Sequence, residues 1–182
     1  MYGDYSGSSS SPFDRRQLGY LITLTERTDR FSALHWASHK PHRVFRGSCA
    51  GELLAFADAV AAALNVRLLL QEVLSQRVPL HANTDSSAAY DMTTSFRDPT
   101  DMTSKNDIFM LRRALLAGTI AALHLVHGDH NPADALSQPM YAHPPPNDAH
   151  DRALASGMLR APTRSSTSST EYRNSPRPTA HA

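Results

Sequence analysis

This sequence holds one cysteine but 17 acidic residues and 10 histidines among its 182 residues, so carboxylates and imidazoles are the first groups to weigh for chemistry. The sole cysteine, Cys49, can form no internal disulfide, and with no base identified beside it a buried, inert thiol is expected. Ser6, in the run Gly3-Asp4-Tyr5-Ser6-Gly7, does not follow a strand and open a helix, as the nucleophile elbow of a serine hydrolase must. His124, His127 and His130 recur at even spacing, but on an extended segment that spacing turns neighbours to different faces. With no cysteine nearby, a zinc site is not expected there. The carboxylates remain, and each has a bland alternative: Glu52 as a helix-entry acid favoured by the dipole, Asp85 as the N-cap of a following helix. Where the fold places the acids must decide.

The chain is long enough for one core and too short for two. The first ten residues are polar and hold no apolar run behind basic residues, so an intracellular protein of cytoplasm or nucleus is expected rather than a secreted one. The most apolar stretch, 53–70, is interrupted by Asp58, Asn65 and Arg67 and reads as a core helix, not a membrane span. A net charge of +1 gives no footprint for nucleic acid, so such a partner must be argued from particular residues. Two basic groups are candidates for phosphate contacts: Lys40, Arg43 and Arg46 with His39 and His42, and Lys105, Arg112 and Arg113 further on. Solvated surface charge is the alternative for both.

Alternation of Leu18, Tyr20, Ile22 and Leu24 predicts a strand over Gln17–Thr25, with further strands over 31–38 and, after Pro41, over 42–45. Ser48 is expected to cap a helix reaching about Leu74, with Leu53, Ala57, Val60, Ala61, Leu64 and Leu68 on its core face. A strand over 78–84 ends at Asp85 and leads into a short helix over 86–93. Ser104 caps a helix to Ala117, stopped by Gly118; a strand follows over 120–126 and a short helix over 131–136. Composition then turns to proline, serine and threonine. The chain is read as a domain over 1–138, an extension over 139–160 and a disordered tail over 161–182. Strands, helix, strand, helices, strand and final helix suit an α/β architecture with a mixed sheet.

Five blocks sharpen this. They are Gln17-Leu18-Gly19-Tyr20-Leu21-Ile22, Leu34-His35-Trp36-Ala37-Ser38-His39-Lys40, Ala50-Gly51-Glu52-Leu53-Leu54-Ala55, the run from Leu80 to Ser86, and Asn131-Pro132-Ala133-Asp134-Ala135-Leu136. In this order they resemble the ribonuclease H segment of copia-type retrotransposon reverse transcriptase polyproteins, from about Asp4 to Leu136. The resemblance implies a ribonuclease H-like fold with a five-stranded mixed sheet and hydrolysis of the RNA strand of RNA–DNA hybrids. Its carboxylates fall on Asp4 in the first strand, Glu52 in the first turn of the long helix, Asp85 at a strand end and Asp134 in the last helix. Asp14 and Asp129 are their nearest rivals.

Phosphodiester cleavage at neutral pH needs an activated water, a stabilised leaving oxygen and neutralised phosphate charge, which two Mg2+ ions can supply, with Mn2+ as a substitute. Magnesium takes oxygen ligands, so four acids suffice for two ions. His127 or His130, in the loop before Asp134, is expected as a proton shuttle by the same resemblance. Two departures stand out: Tyr5 where a small residue is usual, and Ser137-Gln138 where threonine and lysine are common. Only three residues precede Asp4, so a truncated first strand is expected, as is the absence of the polymerase and integrase regions to which such a domain is normally fused. A catalytically inactive remnant with at most weak nucleic-acid binding is the alternative reading.

Overall fold

The computed structural model describes residues 1–7, 16–25, 30–44, 47–95, 103–137 and 159–160. Asp14, Arg46, most of the expected 139–160 extension and the 161–182 tail lie outside the described residues.

β1 (Tyr2–Ser6), β2 (Gln17–Thr25), with its alternating apolar residues, and β3 (Arg30–His39) form an antiparallel meander, Asp4 opposite Gly19 and Gly19 opposite Ser38. After the long helix α1 (Ser48–Leu74), β4 (His81–Thr84) returns parallel to β1, and β5 (Ala122–Leu125) lies parallel to β4. The five-stranded mixed sheet runs β3-β2-β1-β4-β5; a two-residue β6 (Leu159–Arg160) extends it at the start of β3. Helices α2 (Ser87–Thr94), α3 (Lys105–Leu116) and α4 (Asp134–Ser137) complete a ribonuclease H-like topology.

The strand expected over 42–45 is not formed at His42, Arg43 or Val44; residues 45 and 46 lie outside the described set. Pro41 offers no ladder donor, and β2 already has both its neighbours, because the meander's remaining strand is β1. The core lies between the sheet and the helices, where Leu53, Phe56, Val60, Ile108 and Leu111 are fully buried. Removing the Phe56 ring would cost about 3–5 kcal/mol.

By length and composition α1 could cross a membrane, yet its N-terminal part is core: Ala50 to Ala57 are all buried except Glu52. Ala61 and Leu68, expected on its core face, are exposed, Leu68 at 64%. Ala61 turns outward between the buried Val60 and Ala63, whereas Leu68 belongs to the last turns, where Leu69 and Val73 are also exposed among the described residues.

Candidate active site

β1 supplies the centre of the site because its two faces do different work. Gly3 and Tyr5 turn toward α1: a Cβ on Gly3 would lie 3.1 Å from the Ala55 carbonyl oxygen, and one on Gly51 would strike the Tyr5 ring. Asp4, between them, points to the opposite face by strand alternation. Across the ladder from it Gly19 leaves room for the backbone of α4, since a Cβ there would sit 2.6 Å from Leu136 C and Ser137 N. The short helix therefore lies directly on β2, and Ser137 Oγ donates to Asp4 Oδ2 at 2.5 Å. Ser38 Oγ on β3 holds α4 from the other side through the Leu136 carbonyl, also at 2.5 Å.

The turn before α4 is pinned to the same strand. Asn131, 2% exposed, donates from Nδ2 to the Gly3 carbonyl at 3.3 Å and accepts from the Ala133 N–H at 3.1 Å. Neither Asn131 nor Ser137 carries a functional signal of its own in the sequence. Asn-Pro announces a turn, but a hydrogen bond across 128 residues leaves no local trace. Ser137 was noted only as a departure from the copia pattern.

Two other acids converge on Asp4. α1 begins after Gly47, whose φ of +83° suits glycine; Ser48 is the first helical residue and not the cap. Glu52 is thus the fifth residue of the helix, one past the expected first turn, so its position is not explained by the helix dipole. Asp85 is not an N-cap either: Ser86 caps α2, its Oγ accepting from the Ala89 N–H at 3.2 Å. Both carboxylates are thereby left for the site. One oxygen each from Asp4, Glu52 and Asp85 lies within 4.8 Å of the others. The loop after β5 closes on this group, a Cβ at Gly128 coming 3.6 Å from Asp85 Oδ2. Asp134 stands outside the tight group, but its charge bears on both Asp4 and Glu52.

Crowding acids in a half-dry site penalises their charged forms. Burial first, then the neighbouring Asp85 and Asp134 charges, pushes Asp4 up to about 7 against the Ser137 hydrogen bond. Burial, then Asp4 and Asp85, pushes Glu52 up to about 8, with the Tyr5 backbone N–H opposing. The donor set is all hard carboxylate oxygen, and a dication would relieve the repulsion it creates. It fits magnesium or manganese. A carboxylate triad able to hold a divalent ion therefore stands over the middle of β1 and the end of β4, on a ribonuclease H-like sheet.

No family model matches the chain, and no curated protein matches it.

The other sequence-selected residues are dispersed. His124, His127 and His130 form no ligand cluster: His124 stacks on His81, while His127 and His130 are exposed, with His127 Nδ1 3.3 Å from Asp129 Oδ2. Asp129 is exposed at the end of that pair and is not one of the three clustered carboxylates. Lys40 is exposed, and Arg43 is ion-paired with Asp107 of α3. Lys105 lies over the Phe109 ring, 5.5 Å from its centroid. Arg112 ties α3 to the end of α2 by donating to the Met92 carbonyl at 3.0 Å and to Ser95 Oγ.

Proposed function

We propose that this chain is a ribonuclease H of the copia retrotransposon type, hydrolysing the RNA strand of RNA–DNA hybrids with two Mg2+ ions. The observation that carries it is the convergence of Asp4, Glu52 and Asp85 on a fold of this topology, with Asp134 alongside. The copia assignment rests on the five motif blocks, two of which acquire physical reasons: Gly19 seats α4, and Asn131 anchors it to β1.

Bound at this site, divalent ions would supply an activated water and neutralise charge growing on the scissile phosphate. Asp4, Glu52 and Asp85 would hold them, with Asp134 available to a second ion. At neutral pH Asp4 and Glu52 keep their protons to a large extent, so loading releases protons and tightens as pH rises. Ser137 occupies Oδ2 of Asp4 and orients the carboxylate. His127 and His130, on the exposed loop whose Gly128 nears Asp85, would pass protons to solvent. The partner would be a hybrid in cytoplasm or nucleus.

The reading is tested with purified protein and labelled RNA–DNA hybrid in Mg2+, beside single-stranded RNA and duplex DNA. Cutting confined to the hybrid and lost in Asp85→Asn supports it. Equal cutting of duplex DNA would move the substrate to DNA; no cutting by folded protein would reject the enzyme.

A further inference from the structure

Trp36, the single tryptophan of the chain, is 60% exposed in the middle of β3, although Leu21 opposite it is buried. An exposed indole offers a broad, rigid π-face with a polar N–H at its rim, suited to contact with a flat partner. It shares a face with Ser38, which holds α4, and with Gly19 and Asp4 in the next row. Alternation carries that face on to Lys40, exposed just beyond the strand end. Pairing with β6 reaches only Arg30 and Phe31, so among the described residues the β3 edge from Trp36 onward has no strand partner. β3 runs parallel to β1, each being antiparallel to β2, and Ser38 is level with Asp4, so Trp36 and Lys40 stand two residues to either side of the row that holds Asp4.

The geometry points to Trp36 as a stacking platform for one strand of the nucleic acid, with Lys40 taking a phosphate of the same strand on the other side of the row that holds Asp4. This rests on the function proposed above and adds to it a positioning surface on the outermost long strand. An indole accepts any base on its π-face, and each such contact is worth about 1–3 kcal/mol. The spacing from Trp36 to Lys40, four residues at about 3.3 Å each, is roughly 13 Å, enough to separate a stacked base from a phosphate further along the strand. The acidic site repels phosphate until cations load it, so a cation and an aromatic surface beside it supply the attraction that the carboxylates cannot.

Because the tryptophan is unique, its fluorescence reports this contact alone. The protein is titrated in EDTA at low salt with a hybrid oligonucleotide, while anisotropy of a dye on the oligonucleotide measures binding independently. The expected result is quenching that saturates with the anisotropy, binding weakened about tenfold or more in Trp36→Ala, and partial recovery in Trp36→Phe. In Mg2+ the alanine variant raises KM for cleavage far more than it lowers kcat. Binding by anisotropy with unchanged tryptophan emission, or full affinity in Trp36→Ala, would overturn the platform and leave the nuclease standing. No binding of any nucleic acid, in EDTA or in Mg2+, would overturn both.

Discussion

Replacing Glu52 by glutamine should make the metal-free protein more stable at alkaline pH, although it removes a candidate catalytic group. The native carboxyl titrates near 8 against 4.5 for the free group. A raised carboxyl contributes stability fully below the unfolded value and loses it as pH climbs through the folded value. The window is therefore about pH 4.5 to 8, over which the native state becomes progressively costlier to hold at this position. At about 1.4 kcal/mol per pH unit, the ceiling is on the order of 5 kcal/mol. Glu52 is partly solvated, and Asp4 can take the proton instead, so about 1–3 kcal/mol is the realistic gain for Glu52→Gln. For a domain of this size that is several degrees in Tm. The assay is thermal or urea unfolding of both proteins in EDTA at pH 5 and pH 8.5. Wild type should lose stability between the two, the variant less so, and Mg2+ should restore the wild type more than the variant. A wild type equally stable at both pH values, with Glu52→Gln the weaker protein at pH 8.5, would refute the reasoning.

Ser137→Ala removes the hydrogen bond that favours the charged form of Asp4, so Asp4 should titrate above 7 and the acid limb of the pH–rate profile should move to higher pH. Gly19→Ala drives a methyl into the backbone of α4; urea titration should show a loss of about 1–3 kcal/mol and a smaller stabilisation by Mg2+ than in wild type. His127→Ala and His130→Ala touch exposed rings, so unfolding midpoints should stay within about 0.5 kcal/mol of wild type while product release or proton transfer slows in single-turnover against steady-state kinetics.

Much of the fold was legible because its signals are local. Alternation gave β2 with its observed bounds, and the apolar periodicity from Leu53 carried α1 to Leu74. The failures have physical causes. A β-favourable run at 42–45 met Pro41 and a sheet position already taken by β1. Ala61 falls on the outer side of a helix still buried at Val60 and Ala63, and Leu68 lies in last turns that stay exposed. Asp4, Glu52 and Asp85 were chosen by motif resemblance, and the structure brings them together. Ser137 and Asn131 escaped because their roles exist only across contacts of more than 120 residues, which no periodicity encodes.

The most direct test of the central claim is the chemistry of the cut ends. Hybrid carrying labelled RNA should be cleaved in Mg2+ to leave 3′-hydroxyl and 5′-phosphate termini on the RNA strand, with cleavage abolished by EDTA and in Asp85→Asn. Cyclic 2′,3′-phosphate ends that persist in EDTA, or intact RNA after incubation with protein shown to be folded, would contradict it.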